Sequence, residues 1–160
     1  MAFRLFAAIL VLDQAAKLFI TTSMTPGESI PVINSIFHIT FVLNPGAAFG
    51  LLANQQWIFV ACGVGLLWAF LHYYSRLHQT GPFLRYGCVA MLAGAMGNLI
   101  DRIESGLVID FLDFRIWPVF NIADIAIVGG VLSMVYAILR QPGAVTDQKR
   151  NASHKNQGGE

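Results

Sequence analysis

Apolar runs separated by short polar breaks organise the chain from Phe3 to Leu139. Four stand out, at about residues 3–21, 57–74, 83–100 and 119–139, each 18 to 21 residues long. A bilayer-spanning helix needs roughly 20 apolar residues, so each run is long enough to cross. The first carries Arg4 near its start, as a signal peptide would. Asp13 and Lys17 interrupt it and no small-residue cleavage pattern follows, which predicts a retained helix. Between the first two runs lie Ile30-Pro31-Val32-Ile33 and Phe37-His38-Ile39-Thr40-Phe41-Val42-Leu43. Their β-branched and aromatic content predicts short strands. They are too apolar for a solvated loop, so we expect a small sheet resting on the membrane surface. Residues 101–118 form a second extramembrane segment, in which Val108 to Phe114 alternates like a strand or extended turn. Asp110 and Asp113 are out of register there, so one of the two is expected to face water.

Composition agrees with this pattern. Of 160 residues, 56% are apolar and only 12% charged, about half the usual charged share of a soluble domain. A single soluble core would need more polar surface, and a disordered chain less apolar content. The expected fold class is an α-helical integral membrane protein with four transmembrane helices and a small extracytoplasmic β-sheet. Residues 1–141 form one membrane-embedded domain, leaving no room for a separate soluble enzyme domain. Residues 142–160 are polar and expected to be a disordered cytoplasmic tail. A net charge of +1 shows no nucleic-acid footprint. Cys62 and Cys88 sit in apolar runs without metal-ligand spacing and are expected to be buried thiols. With both termini inside, Arg4, Arg76, Arg85, Arg140, Lys149, Arg150 and Lys155 are cytoplasmic, and Arg102 and Arg115 lie outside. That asymmetry favours this orientation.

Ionisable and amide side chains within apolar runs need a reason. Asp13 and Lys17 are four residues apart, on one helix face. They read either as a structural ion pair or as the border of an active site. Asn44-Pro45-Gly46 opens a turn, and its small residues let another backbone approach closely. Asn98, Asp101 and Arg102 share a face at the end of the third run; capping and snorkelling account for Arg102 better than for the deeper Asn98. Asn121 and Asp124 share a face at the start of the fourth. Asp124 could simply complement the helix dipole, but a start near residue 119 places it beyond the first turn.

Asp110 and Asp124 therefore flank the start of the fourth helix. Two carboxylates that meet at about 3 Å cannot both stay ionised: one holds a proton and the other acts as base. Such a pair activates water and protonates a leaving amine, which is aspartic-protease chemistry. It needs no metal and no organic cofactor. Rival hydrolytic patterns are weak. The sequence has no GxSxG, HExxH or GxGD, and His38 with Ser35 does not make a serine hydrolase.

Five ordered motifs then carry a family resemblance. They are Asp13-Gln14-Ala15-Ala16-Lys17, Asn44-Pro45-Gly46-Ala47-Ala48-Phe49-Gly50, Gly97-Asn98-Leu99-Ile100-Asp101-Arg102, Val108-Ile109-Asp110-Phe111, and Phe120-Asn121-Ile122-Ala123-Asp124-Ile125-Ala126-Ile127. Together they resemble the lipoprotein signal peptidases, or signal peptidase II. Ala16 departs from the Ser or Thr the family often has there. The resemblance implies an aspartic endopeptidase of the bacterial cytoplasmic (inner) membrane, with its active site toward the extracytoplasmic face; separately from the resemblance, a monomer is expected. Its implied substrate is a diacylglyceryl-modified prolipoprotein, met among membrane lipids and cut just before the lipidated cysteine. It also implies inhibition by the cyclic peptide globomycin. The catalytic pair falls on Asp110 and Asp124; Asn44, Gly46, Asn98, Arg102 and Asn121 fall on substrate-binding or dyad-supporting positions. Asp13, Lys17 and Asp101 match structural-support positions.

Two other readings compete. A small ion- or proton-coupled transporter would use Asp13, Lys17 and Asp124 as a relay. Those groups cluster at one end of the spans and no inverted repeat is visible, which counts against it. A non-enzymatic scaffold would tolerate Asp-to-Asn changes.

Overall fold

The computed structural model describes residues 1–46, 55–77 and 79–140. The elements run α1 (Ala2–Ser23), β1 (Ser29–Ile33), β2 (Phe37–Asn44), α2 (Gln56–Leu77), α3 (Pro82–Ser105), β3 (Val108–Asp113) and α4 (Ile122–Leu139). Helices α1, α3 and α4 are long and apolar enough to cross a membrane, and α2 carries the apolar stretch Val60–Tyr73. The 22 residues of α1 reach about 33 Å, matching a hydrocarbon core of about 30 Å. The fold class is the expected one, a helical membrane protein with a small sheet. Motif residues 47–50 and the tail 142–160 lie outside the described residues.

In lipid the usual polarity is inverted. The buried residues of α1 are Asp13, Lys17 and Ile20, while Val11, Leu12, Leu18 and Phe19 are exposed on its outer face. Hydrocarbon solvates the apolar side chains, so the interior is left for groups that need partners.

Helix α3 is the hub: α4, α1 and α2 all pack on it, α4 most extensively. Glycines set the α3–α4 distance. A Cβ on Gly94 would run into the Ala123 carbonyl oxygen, and one on Gly130 would lie 2.6 Å from the Gly87 carbonyl. Such backbone approach is a common way to join helices in a bilayer, where apolar side chains gain little by leaving lipid.

Two helix ends differ from the sequence expectation. Helix α3 continues to Ser105, five residues past the expected end, and stops where Gly106 adopts a left-handed φ of 78°. Asp101, expected in an extramembrane segment, is therefore on the helix. Helix α4 begins at Ile122 rather than 119, with Asn121 as N-cap and Asp124 at N3. The expectation that Asp124 lies beyond the first turn is thus corrected. Two extra apolar residues, Val119 and Phe120, made the run look longer than the helix; Phe120 instead pairs with Leu112.

The strands form one antiparallel sheet in the order β1-β2-β3. Phe41 and Phe111 seat it on the end of α1 against Ile20 and Met24. The register of β2 against β3 shifts by one residue between Ile39 and Val42. Past this bulge Val42 faces Asp110, which leaves Asn44 one diagonal step away.

Candidate active site

The N-terminus of α4 places the first carboxylate. Its first-turn N–H groups have no intrahelical partner. The Asp124 N–H donates to Asn121 Oδ1 at 2.9 Å, and Asp124 Oδ2 accepts from the Asn121 N–H at 3.2 Å, a reciprocal capping box. Asp13 of α1 accepts the next donor, the Ala123 N–H, at 2.8 Å. The plain capping role that the sequence allowed for Asp124 is realised, and Oδ1 remains for other work: it accepts from Asn98 Nδ2 at 2.8 Å.

Strand β3 places the second. Asp110 accepts from Asn44 Nδ2 at 2.8 Å and from Asn121 Nδ2 at 2.7 Å. It is 1% exposed. Burial pushes its carboxyl up to about 7, and the neighbouring Asp124 carboxylate adds to this, against the hydrogen bonds from Asn44 and Asn121 and the charge of Lys17. Asn121 also reaches Asn98 Oδ1 at 3.0 Å, so the two carboxylates are joined through a pair of amides.

Arg102, one turn beyond Asn98, donates to the Gly46 carbonyl at 3.0 Å and to the Asn98 carbonyl at 3.3 Å. The Gly46 N–H donates to Asn44 Oδ1 at 2.9 Å, which ties the turn after β2 to the same network.

Behind this layer sits a buried ionic cluster. Lys17 Nζ is 2.8 Å from Asp13 Oδ2, 2.7 Å from Asp101 Oδ2 and 3.0 Å from Asn98 Oδ1. The Asp13–Lys17 pair is thus an ion pair, and through Asn98 it is linked to Asp124. Gln14 was missed. Its Nε2 donates to Asp13 Oδ2, the Gly97 carbonyl and Asp101 Oδ1 at 3.1–3.2 Å. An amide between Asp13 and Lys17 in an apolar run was the available signal.

A cavity of about 400 Å³ opens beside the carboxylates. Asn44, Gly46, Asn98, Arg102, Asp110 and Asp124 line its polar end. Leu66, Leu99, Ile127 and Val128 are among the apolar wall residues. Cys62 also lines it and is exposed, contrary to expectation, because α2 packs on α3 and leaves its cavity face uncovered. Cys88 is only partly buried.

Asp113 corrects another expectation. The odd spacing puts it on the strand face opposite Asp110, but that face is covered as well, and Asp113 is 5% exposed. It accepts from Thr40 Oγ1 at 2.8 Å and from the Arg115 N–H at 2.8 Å. Burial acts to raise its carboxyl, but these bonds and the Arg115 guanidinium hold it below the usual range. His38 contacts Ser29 Oγ at 3.1 Å, on the sheet. The described residues contain no cluster of three or more His, Cys, Asp or Glu side chains suited to a metal ion.

Fold and site together define a multi-helix membrane protein with two amide-bridged carboxylates at the polar end of an apolar cavity. The family model described as signal peptidase (SPase) II matches residues 5–140, and the chain belongs to that family. A lipoprotein signal peptidase of Moorella thermoacetica is 51% identical over 135 residues, covering 84% of this chain and 90% of the relative. One of Pelotomaculum thermopropionicum is 44% identical over 148 residues, covering 92% and 97%. Among solved structures, a bacterial membrane enzyme determined by the in meso method at 2.3 Å superposes with a TM-score of 0.82 at 31% identity, covering 91% of this chain and 94% of that one. A second such enzyme, at 1.9 Å, gives 0.79 at 33% identity, covering 88% and 93%. Nothing in these comparisons supports the transporter reading.

Proposed function

We propose that the protein is the aspartic endopeptidase that removes signal peptides from diacylglyceryl-modified prolipoproteins, cutting just before the lipidated cysteine. The observation that carries this reading is the position of Asp110 and Asp124, bridged by Asn98 and Asn121, where the polar end of the cavity meets its apolar wall. A substrate that is part lipid and part peptide needs both surfaces at once. Family membership supports the same activity.

In the proposed reaction the pair holds one proton. The ionised carboxylate takes a proton from water as the oxygen attacks the scissile carbonyl. The protonated one gives its proton to the carbonyl oxygen. Collapse of the tetrahedral intermediate returns a proton to the leaving amine and frees the new carboxyl end. With Asp110 pushed up to about 7, a singly protonated pair is available near neutral pH. Asn44, Gly46, Arg102 and Asn121 bind substrate backbone or hold the pair. The apolar cavity wall takes acyl chains or the signal-peptide helix, and the sheet covers the substrate. The site faces the extracytoplasmic side of the bacterial inner membrane, with both termini in the cytoplasm. A globomycin-type cyclic peptide would occupy the same cavity.

The test uses purified protein in detergent with a diacylglyceryl-modified precursor, followed by gel shift. Wild type is expected to cleave the modified precursor only, and Asp110→Asn and Asp124→Asn to remain folded and inactive. Turnover by both variants would refute the pair.

A further inference from the structure

We infer that Lys17 is a positioning residue of the hydrolytic site, acting through Asn98 on Asp124. The inference rests on the aspartic-peptidase reading above and deepens it. Lys17 is 2% exposed, and its ammonium meets three acceptors: Asp101 Oδ2 at 2.7 Å, Asp13 Oδ2 at 2.8 Å and Asn98 Oδ1 at 3.0 Å. An ammonium has three donors and no acceptor, so this set is complete. The two carboxylates already balance the cation. The contact with Asn98 adds something else: a full positive charge on the amide oxygen, which with Asn121 Nδ2 holds the amide one way round and polarises it.

Asn98 Oδ1 receives Lys17 and Asn121 Nδ2, which turns Asn98 Nδ2 onto Asp124 Oδ1 at 2.8 Å. A flipped amide would face the ammonium and Asn121 Nδ2 with its own N–H groups and Asp124 with a carbonyl oxygen, three repulsive contacts. The cation thus reinforces, together with Asn121 Nδ2, the orientation that gives Asp124 a donor, and its full charge on the amide oxygen strengthens the hydrogen bond made by the amide nitrogen. The other two amides are oriented without Lys17. Asn121 Oδ1 is held by the Asp124 N–H, and Asn44 Oδ1 by the Gly46 N–H. Among the described residues, the charged groups around the pair are Asp13 and Lys17 of α1, and Asp101 and Arg102 of α3, and β2 and α2 contribute no charged group to the cavity lining.

The experiment compares Lys17→Met with Gln14→Leu, because Gln14 bonds Asp13 and Asp101 in the same buried cluster but not Asn98. Lys17→Met is expected to lower kcat on the order of 10-fold with KM nearly unchanged, less than the loss for deleting a donor outright because Asn121 Nδ2 still holds the Asn98 amide. Gln14→Leu is expected to lower thermal stability and leave kcat within about threefold. Wild-type kcat in folded Lys17→Met, or equal kcat losses in both variants, would overturn the inference. If Lys17→Met does not fold, Asn98→Asp decides, since it keeps an oxygen for Lys17 but offers Asp124 no donor at neutral pH. Its activity is expected to return as pH falls and the introduced carboxyl, once protonated, donates to Asp124. Any outcome other than this acid-shifted optimum overturns the inference. Asp124→Asn is assayed in parallel. If it is active, the aspartic reading itself fails; if it is inactive while Lys17→Met turns over normally, only the role of Lys17 fails.

Discussion

Replacing Asn44 by Ala should move the alkaline limb of the pH–rate profile upward. Asn44 Nδ2 donates to Asp110 Oδ2 at 2.8 Å, a hydrogen bond that favours the ionised carboxyl. A hydrogen bond to a charged group contributes about 1.5–3 kcal/mol net, or about 1–2 pKa units at 1.36 kcal/mol each. The second donor, Asn121 Nδ2 at 2.7 Å, stays in place, and Asp110 borders the cavity, where water replaces part of the lost bond. The lower figure, about one unit, is therefore expected. The sign follows from the lost donor: without it the carboxyl holds its proton more tightly, and the singly protonated pair survives to higher pH. The limb, which belongs to the coupled pair, should move from about 7 to about 8. The assay is kcat/KM on modified precursor from pH 5 to 9, with thermal melting at each pH to show that the protein stays folded. Loss of the Gly46 N–H contact can change KM but leaves the limb where it is. A limb that stays put, or moves to lower pH, refutes the reasoning.

Other expectations concern stability. In the wild type, Asp110 binds its proton more tightly folded than unfolded, so its contribution is fully present below about pH 4 and is lost as pH rises to about 7. Asp110→Asn should remove that loss, gaining on wild type by up to about 4 kcal/mol between pH 4 and 8 in unfolding experiments; parallel curves for the two proteins would contradict this. Asp13→Ala strips Lys17 of one carboxylate and leaves the Ala123 N–H without its acceptor, so a loss of about 3–5 kcal/mol is expected, and one below about 1 kcal/mol would show that the cluster is dispensable. Gly94→Ala drives a methyl into the Ala123 carbonyl and should cost at least about 1–3 kcal/mol, whereas Gly129→Ala, with open space around it, should gain about 0.5–1 kcal/mol from helix propensity. Equal melting shifts for the two would count against a glycine-set α3–α4 contact.

The sequence made legible whatever depends on spacing within one element. The four-residue step from Asp13 to Lys17 gives a real ion pair, and the strand-like content of residues 30–43 gives β1 and β2. What depends on a second element was hidden. Asp101 as the second anion of Lys17, and Gln14 as a bridge between Asp13 and Asp101, appear only once α1 lies on α3. The covering of Asp113 needs β2 and the turn at Arg115, and the exposure of Cys62 reflects how α2 packs. The late start of α4 was readable in principle, since Asn121 and Asp124 have capping-box spacing. The apolar Val119 and Phe120 masked it, because hydrophobicity marks what is buried rather than what is helical.

The packing of α2 and α4 on a common neighbour, with the cavity between them, has a kinetic consequence. The proposed substrate, held in the bilayer by its own lipid chains, would reach such a site by a two-dimensional search. What the site then senses is the mole fraction of precursor among lipid and detergent molecules, not its concentration in bulk solution. Adding inert amphiphile at constant protein and precursor should slow turnover by surface dilution, and concentrating the whole sample should leave it nearly unchanged. For such a site, the crowding of the membrane plane acts as a rate-determining reagent.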